Sequence, residues 1–206
     1  MFIKGPNQIR EEGVVARILA FAGSTRAGSY NQRLAALAAR AAQSAGADVR
    51  LVCLKDYALP VYDSDFEADY GLVDNVRALK RLFTEADGLL ISTPEYNASL
   101  SAVLKNALDW VSRPCEGETA TTLSCFRGKV AGLLSASPDP LGGVRALGHM
   151  REILAHLQVT TLPEQVCVPF AHEAFDDLGL KDARLQGAVE TLGRRVAAFA
   201  AYGAAA

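Results

Sequence analysis

The sequence has few of the residues from which metal sites, disulfides and membrane spans are built. It contains four cysteines and three histidines in 206 residues, and no two cysteines form a C-x-x-C pair. Because clustered cysteine and histidine are the usual ligands of structural zinc, we expect no metal site. No apolar run reaches the roughly 18 residues of a membrane span, and the polar first residues are unlike a signal peptide. We therefore expect a cytoplasmic protein with free thiols and no contact with a membrane.

A strong excess of charge is also lacking. The chain has 21 Lys and Arg against 23 Asp and Glu, a formal net charge of −2. Proteins that bind nucleic acid or anionic membranes usually carry a basic surface, so we expect neither partner. Hydrophobic residues make up 50% of the chain, and this length suits one domain with a substantial core. We place that domain at residues 14–202, after an N-terminal extension over residues 1–13.

Apolar runs alternate with helical patterns along the chain. Runs typical of parallel strands that are buried on both faces occur at 14–22, 49–54, 88–92, 130–135 and, more weakly, 159–162. Apolar residues at helical spacing occur near 34–41, 72–83, 100–111, 147–157 and 185–199. This alternation predicts an α/β three-layer sandwich, with helices on both faces of one five-stranded parallel sheet. The flavodoxin-like strand order 2-1-3-4-5 fits better than the Rossmann order, because the chain has five strands and a phosphate-type loop after the first.

A turn rich in glycine and hydroxyl groups follows the first strand. Residues 23–31 read Gly-Ser-Thr-Arg-Ala-Gly-Ser-Tyr-Asn and lead into a helical pattern. Backbone N–H groups in such a turn, together with the positive end of a helix, bind an anion. The hydroxyls, one amide and one guanidinium suit a single phosphate monoester. The candidate cofactor-binding residues of this loop are Ser24, Arg26, Ser29, Tyr30 and Asn31.

Two better-known phosphate loops do not fit these residues. Gly23 and Gly28 have the first spacing of a P-loop, but Ser29 and Tyr30 stand where Lys and Ser or Thr are required. The dinucleotide fingerprint fails because Thr25 replaces its second glycine, and no acidic residue closes the second strand. For this loop taken alone, an ordinary turn between strand and helix remains the alternative.

Two more polar loops follow the third and fourth strands, at 92–99 and 135–143. In the predicted sheet all three loops lie at the carboxyl ends of neighbouring strands, where ligands bind. Hydrolase chemistry has little support, because Glu95 lacks a nearby histidine or second carboxylate and no G-x-S-x-G is present. A loop with proline, an aromatic ring and an amide suits the edge of a flat heteroaromatic ring instead. Together with the phosphate loop, it predicts flavin mononucleotide (FMN), which would perform the electron chemistry itself. The candidate cofactor-binding residues here are Pro94, Glu95, Tyr96, Asn97, Ser135, Ser137 and Gly142.

Residues 23–31, followed by Pro-Glu-Tyr-Asn-Ala-Ser-Leu-Ser-Ala-Val-Leu-Lys-Asn-Ala-Leu-Asp-Trp at 94–110, resemble the NADPH-dependent FMN reductase family. The likeness covers roughly residues 15–160. It implies a flavodoxin-like fold and bound FMN, with NADPH or NADH as co-substrate. It also implies a ping-pong cycle: hydride passes to flavin N5 and then to a small acceptor such as a quinone, free flavin, azo compound or metal oxyanion. No side chain is then needed as a catalytic group. A flavodoxin-like electron carrier, or a non-catalytic FMN-binding or cofactor-free module, is the alternative.

Three further segments carry predictions. Helix 100–111 is apolar on most sides, and residues 105–110 match a helix that lies at a subunit interface in relatives, so we predict a dimer or tetramer built through it. Residues 114–126 are longer than the usual connection and are predicted to be exposed near the mouth of the site. The acidic stretch 60–71 is predicted to be a solvated loop rather than a metal site.

Overall fold

A parallel five-stranded sheet is the centre of the fold in the computed structural model, which describes residues 15–204. The strands in chain order are β1 (Arg17–Ala22), β2 (Asp48–Cys53), β3 (Gly88–Ser92), β4 (Glu95–Tyr96), β5 (Ser99–Leu100), β6 (Val130–Ala136) and β7 (Thr160–Val168). The five longer strands are hydrogen-bonded in the order β2-β1-β3-β6-β7, and every pair is parallel. Counted among themselves they have the order 2-1-3-4-5, so the predicted topology is confirmed. Strands β4 and β5 form a separate antiparallel hairpin.

Helices cover both faces of this sheet. They are α1 (Tyr30–Ser44), α2 (Ser64–Tyr70), α3 (Asp74–Glu85), α4 (Ala102–Val111), α5 (Val144–His156), α6 (Ala171–Ala174) and α7 (Ala183–Ala204). Alternate side chains of β1 enter two different cores: Ile18 packs with α1 and α7, and Leu19 packs with α3, α4 and α5. The three-layer sandwich is therefore confirmed. Within residues 15–204, no helix combines the length and apolar character that a membrane span requires.

The contact between α1 and α7 depends on small residues. A Cβ added at Gly193 would lie 2.3 Å from the carbonyl oxygen of Ala38, a distance that real Cβ atoms essentially never show. Glycine at this position therefore lets the two helices approach until backbone meets backbone. The contact fixes α1, which begins at the phosphate-type loop, against α7.

The sequence predicted a solvated loop over 60–71, but part of this stretch is helical. It contains α2, whose first turn is capped by the Asp63 carboxylate accepting from the N–H groups of Asp65 (2.8 Å) and Phe66 (3.0 Å). The Phe66 ring packs edge-on against Trp110 of α4, with 6.1 Å between centroids. The acidic residues that suggested solvation thus also begin a helix, and this segment covers α4. In the described part of the chain, no group of three or more histidine, cysteine or acidic residues could hold a metal ion.

Because the segment 60–71 covers α4, the argument for a subunit interface at this helix changes. Leu104, Ala107, Leu108, Trp110 and Val111 are all buried within the single chain. The Trp110 indole N–H donates to the carbonyl oxygen of Pro60 at 2.8 Å. The apolar surplus of the helix is therefore covered inside the molecule, and it no longer requires a second copy. Self-association stays a prediction that rests on the family likeness.

The segment 114–126 lies at the opposite edge of the sheet from the predicted site. Helix α4 leaves the carboxyl end of β3, and the chain then enters β6 at its amino end, so this connection runs along the amino edge. Its Glu118 carboxylate pairs with the buried ammonium of Lys80 on α3 (3.2 Å), and Cys125 and Phe126 are buried. The prediction that this segment lies near the mouth of the site is wrong, although residues 116–117 and 119–121 are exposed as predicted. The predicted N-terminal extension, residues 1–13, lies outside the described residues.

Candidate functional site

Three loops meet at the carboxyl edge of β1, β3 and β6. The Gly23 N–H, just after β1, donates to the carbonyl oxygen of Ser92 at 2.8 Å, and the Thr93 N–H donates to that of Leu134 at 2.9 Å. The Ser135 hydroxyl donates to the carbonyl oxygen of Thr93 at 2.6 Å. All twelve candidate residues from the sequence lie on these loops, at the start of α1 or, for Ser135, in the last residues of β6. The parallel sheet therefore brings them to one edge.

Asn31 connects the start of α1 to the ends of β3 and β6 through one buried amide. Its Oδ1 accepts from the Ser92 hydroxyl (2.8 Å) and from the Ala136 N–H (3.0 Å), and its Nδ2 donates to the Ala136 carbonyl (2.8 Å). The sequence interpretation assigned this amide to a phosphate. In the structure the side chain is directed to β3 and β6 instead, so its contribution to the loop is to hold the first turn of α1 against the sheet.

The phosphate-type loop, residues 23–29, has the features of an anion site. Gly28 has φ +67°, which favours glycine, and the Ser29 N–H closes a turn onto the Arg26 carbonyl at 3.2 Å. Ser29 begins α1, its hydroxyl accepting from the Gln32 N–H at 3.4 Å. The N–H groups of Tyr30, in the first helical turn, and of Gly28 have no acceptor among residues 15–204. These donors remain for a ligand at the positive end of the helix.

The side chains of this loop differ in exposure. Residues 25–28 are exposed, whereas Ser24 and Ser29 are buried. The Ser24 hydroxyl has no hydrogen-bond partner in the described part of the chain, and since no side-chain N or O atom there is both fully buried and unpartnered, this oxygen is accessible from the surface. The Arg26 guanidinium donates only to the neighbouring Ala27 carbonyl, at 3.2 Å. One free hydroxyl, one exposed cation and unpaired N–H groups fit a phosphate monoester.

The loop stays narrow because α4 packs directly behind it. A Cβ on Gly23 would lie 2.9 Å from two carbons of Leu104 and 3.0 Å from the Ser101 hydroxyl. That hydroxyl caps α4, accepting from the Leu104 N–H at 3.3 Å, and donates to the Gly23 carbonyl at 2.5 Å. One serine thus begins a helix and fixes the start of the loop.

The loop after β3 is a two-residue hairpin turn. Asn97 (φ 50°) and Ala98 (φ 64°) both have left-handed backbone, as a turn between β4 and β5 requires. Asparagine tolerates this region, whereas alanine rarely adopts it. The tip is exposed, and the Tyr96 side chain beside it is 55% exposed. An aromatic side chain and left-handed backbone thus stand at the open edge of the sheet.

The Glu95 carboxylate fixes this hairpin to α5. Its side chain is only 5% exposed, and it accepts from the backbone N–H groups of Arg145 (3.0 Å) and Ala146 (3.3 Å). The Arg145 guanidinium also donates to it, through Nε at 2.6 Å. Helix α5 has no acid in its own first turn, and its N-cap residue is Gly143, which has no side chain to cap it. Glu95 supplies the missing cap from another loop.

The loop after β6 is shaped by two glycines. Gly142 (φ +61°) and Gly143 (φ +87°) are left-handed, and a Cβ on Gly143 would lie 1.9 Å from the Ser135 hydroxyl. The Ser137 hydroxyl is buried and accepts from the Asp139 N–H at 3.2 Å. Ser135 and Ser137 therefore shape the loop, because their hydroxyls are used within the chain. The exposed part of the loop is residues 138–141.

Sequence reasoning did not find the partners that hold these loops. Arg145 and His149 lie one helical turn apart on α5 and bind Glu95 and Ser99 of the hairpin, the latter pair at 2.9 Å. The sequence signal for these contacts was a pair of residues in each element: a Glu and a Ser in the loop, and an Arg and a His, four residues apart, in the helix.

Cys167 on β7 is half-buried, and burial raises the pKa of its thiol, with the negative charge of Glu95 acting in the same direction. This direction favours the neutral thiol over the nucleophilic thiolate.

An α/β sandwich with an anion loop and an aromatic hairpin at the carboxyl edge defines the flavodoxin-like class of nucleotide-binding proteins. Comparison with known proteins narrows the class. Residues 16–173 match the model of the NADPH-dependent FMN reductase family. Because that match spans more than half of the chain, the protein belongs to this family of oxidoreductases.

Individual relatives agree with this assignment. The chain is 37% identical over 164 residues to an NAD(P)H-dependent FMN reductase of Pseudomonas aeruginosa, covering 79% of this chain and 83% of that one. It is 38% identical over 146 residues to a 2-hydroxy-1,4-benzoquinone reductase of a Burkholderia species, covering 71% and 74%. Among solved structures, a flavoenzyme NAD(P)H:(acceptor) oxidoreductase of Paracoccus denitrificans matches with a TM-score of 0.69 and 26% identity, covering 88% of this chain and 97% of that one.

Proposed function

We propose that this protein binds FMN at the three loops and uses NAD(P)H to reduce a small acceptor in a ping-pong cycle. The observation that carries the proposal is the open anion loop at 23–29, at the same sheet edge as the hairpin at 95–100. The described residues fit the cofactor, because unpaired N–H groups, a free hydroxyl and an exposed arginine form a cradle for one phosphate. Bound FMN supplies the hydride-accepting N5 atom, and the chain supplies position and electrostatics.

At the phosphate end, we assign binding to Ser24, Arg26, Ser29 and the first turn of α1. Arg26 would supply the one full positive charge, and the serines and N–H groups would complete the cradle. Tyr30 and Asn31 would act through their backbone and through packing, because the Asn31 amide is bound to β3 and β6. This division makes the loop selective for FMN over riboflavin, which lacks the phosphate.

At the ring end, we assign the backbone of residues 94–97 and the exposed Tyr96 to the edge and face of the flavin. Glu95 would contribute by holding this backbone on α5, since its carboxylate is already used there. Gly142 would let the loop after β6 approach the ring closely. No side chain is assigned a catalytic role in hydride transfer.

The acceptor is proposed to be a quinone, with free flavin, azo compounds and metal oxyanions as further members of the class. Two relatives bear the names 2-hydroxy-1,4-benzoquinone reductase and quinone reductase, the second from Escherichia coli at 33% identity. The alternative function, a flavodoxin-like electron carrier, has less support because the net charge is only −2. We place the protein in the cytoplasm, in agreement with its four free thiols.

The test is steady-state NADPH oxidation by the FMN-loaded protein with menadione as the acceptor. Sustained turnover supports a reductase. Parallel lines in double-reciprocal plots of the initial rate against one substrate, at several fixed concentrations of the other, support a ping-pong cycle. A protein that is reduced once and does not turn over would be a carrier, and one that takes up no FMN would refute the whole proposal. Replacing NADPH with NADH in the same assay determines the co-substrate preference.

We also propose self-association through helix 100–111, on the family likeness alone. Its exposed side carries the Lys105–Asp109 ion pair, and Val103 is half-buried. Beside it a groove of about 510 Å³ runs between α4 and α5. Light scattering at micromolar concentration is the measurement, and a monomer there would contradict the proposal.

A further inference from the structure

A column of four side chains joins the phosphate-type loop to the segment that follows β7. The Arg26 guanidinium lies over the Tyr30 ring, 5.3 Å from its centroid. The Tyr30 ring stacks on Phe175, with 5.9 Å between centroids and 11° between ring planes. The Arg33 guanidinium lies 4.8 Å from the Phe175 centroid. We call Arg26, Tyr30, Phe175 and Arg33 the aromatic column.

We propose that Phe175 is a positioning residue for phosphate recognition: through Tyr30, it holds the Arg26 guanidinium at the anion loop. The inference deepens the proposed function and rests on it, since the phosphate concerned is that of FMN. It names a residue outside the three loops at the carboxyl edge, more than 140 residues from Arg26 in the chain.

Arg26 needs support because the loop itself restrains it little. The residue is exposed, and its side chain makes one hydrogen bond, to the carbonyl of the next residue at 3.2 Å. A free arginine side chain loses much rotamer freedom when it binds a phosphate. A planar guanidinium stacked on an aromatic face keeps its N–H donors available while its position is restricted. Part of the entropic cost of ordering the Arg26 side chain is then met before FMN binds.

The Phe175 end of the column is firmly built. Phe175 is 9% exposed and packs in the core shared by α1 and α7. The Asp176 N–H donates to the Gly179 carbonyl (3.0 Å), and the Asp176 carboxylate accepts from the N–H groups of Leu178 (2.8 Å) and Gly179 (3.0 Å). The Arg33 guanidinium donates to the Asp176 carbonyl, which ties this turn to α1. The ring position is therefore set without the phosphate loop.

The Tyr30 ring, rather than its hydroxyl, carries the contact. The hydroxyl has no hydrogen-bond partner in the part of the chain that the structure describes, whereas the ring touches both Arg26 and Phe175. A phenylalanine at this position would keep the column, and a leucine would break it. This difference provides a conservative variant for the test.

The experiment titrates the apoproteins with FMN and with riboflavin, following the flavin fluorescence. For Phe175→Leu we expect FMN affinity to fall about 3- to 10-fold, the range for the loss of a single aromatic pair. Riboflavin affinity should stay within about twofold, because it carries no phosphate for Arg26 to meet. Tyr30→Leu should match Phe175→Leu, and Tyr30→Phe should match the wild type. If Phe175→Leu does not fold, Tyr30→Leu, at a half-buried position, carries the test.

Two controls separate this role from a general loosening of the loop. In an Arg26→Ala background, Phe175→Leu should have no further effect on FMN affinity, since the column acts through that guanidinium. Phe199→Leu removes a ring under Arg195 on α7, another guanidinium–ring contact, at 5.6 Å, and should leave both affinities unchanged.

The outcomes distinguish this inference from the proposed function. A wild-type protein that does not prefer FMN over riboflavin would refute the function itself. A wild-type preference that survives Phe175→Leu, or a loss that is equal for both flavins, would overturn the positioning role. An effect of Phe175→Leu that persists at full size in the Arg26→Ala background would also overturn it.

Discussion

The two edges of the sheet use their polar groups differently. At the amino edge, the buried Lys80 ammonium donates to the carbonyls of Val111 (3.3 Å) and Arg113 (2.8 Å) and pairs with Glu118. The buried Lys129 ammonium donates to the carbonyls of Thr84 and Ala86 at the end of α3, and burial lowers its pKa. Each cation has its partners within the chain.

At the carboxyl edge, by contrast, several polar groups have no partner among the described residues. The Ser24 hydroxyl and most of the Arg26 guanidinium lack partners among the described residues, as do the N–H groups of Gly28 and Tyr30. Non-glycine residues with left-handed backbone occur at both edges, at Asn97, Ala98 and Phe170 here and at Leu123 and Gln158 at the amino edge, so backbone strain does not distinguish the two. Unpaired polar groups do distinguish them, and such groups are available to bind a ligand. Variants of the charged groups at the two edges, Glu118 and Arg26, should therefore separate loss of stability from loss of binding.

The largest effect is expected for Gly143→Ala at the carboxyl edge. The new Cβ would lie 1.9 Å from the Ser135 hydroxyl, on a backbone with φ +87°. We expect a loss of about 2–5 kcal/mol in the free energy of unfolding, from overpacking and backbone strain together, measured by urea denaturation. Gly148→Ala in the same helix is the control: nothing lies within 4 Å of its Cβ, so a gain of about 0.5–1 kcal/mol is expected. Equal stability of the two variants would show that the loop relaxes freely.

At the amino edge, Glu118→Gln should reduce stability without changing FMN affinity. The substitution leaves the Lys80 ammonium, 7% exposed, without its counter-charge, and we expect a cost of about 1–3 kcal/mol. FMN affinity that falls in parallel with stability would remove the separation between the edges.

The same carboxylate predicts a pH dependence. The Cys115 N–H, the Ser124 hydroxyl and Lys80 together hold the pKa of Glu118 below its ordinary value of 4.5. Because the folded-state pKa is depressed, the contribution to stability is present above that value and is lost as the pH falls through the folded-state pKa. Urea midpoints measured from pH 7 downward should show this loss in the wild type. The Glu118→Gln variant should show a smaller one.

Arg26→Ala tests the carboxyl edge by binding alone. It should weaken FMN by about 1.5–3 kcal/mol, or roughly 10- to 150-fold, the range for hydrogen bonds to a charged group. The unfolding midpoint and the turnover at saturating FMN should hardly change, because the phosphate lies away from the reacting atom. Arg40→Ala, at an exposed position on α1, is the matched control. An affinity within about twofold of wild type would show that Arg26 takes no part in binding.

The smallest effect is expected for Ser99→Ala, which removes the 2.9 Å contact between the hairpin and His149. Loss of one exposed neutral hydrogen bond should cost about 0.5–1 kcal/mol at most. Since the hairpin carries the proposed ring contacts, the visible absorption bands of bound FMN should shift while FMN affinity changes little. Unchanged bands would show that Glu95 alone is enough to fix the hairpin.

Much of the architecture was predictable, because local patterns encode it. Continuous apolar runs gave the five sheet strands, and their order followed from the phosphate-type loop. Strand β7 was predicted to be too short: Pro163 and Glu164 interrupt its apolar run, yet the ladder with β6 resumes after an irregularity and continues to Val168. Hydrogen bonds to β6 on both sides of the break keep β7 in the sheet. The local sequence of β7 contains no information about that neighbouring strand.

Sequence reasoning missed the partners of Asn31 and Glu95 for one reason. Asn31 was assigned to a phosphate because its partners, the ends of β3 and β6, are distant in sequence. Glu95 was left without a partner for the same reason, since Arg145 lies 50 residues away. The position of segment 114–126 is a different error, because the alternation of strands and helices already places the chain between α4 and β6 at the amino edge. Connectivity could have corrected it.

The bonds of Asn31 also have a consequence for the order of folding. They span 61 and 105 residues of chain, and they can form only after β3 and β6 have paired beside β1. Contacts that close such long loops form late, because their entropic cost precedes their gain. We therefore expect the anion loop to be the last part of the sheet edge to become ordered, and the first to open on partial unfolding. In native-state hydrogen exchange, the amides at the start of α1 should exchange through an opening of lower free energy than those in the middle of β1.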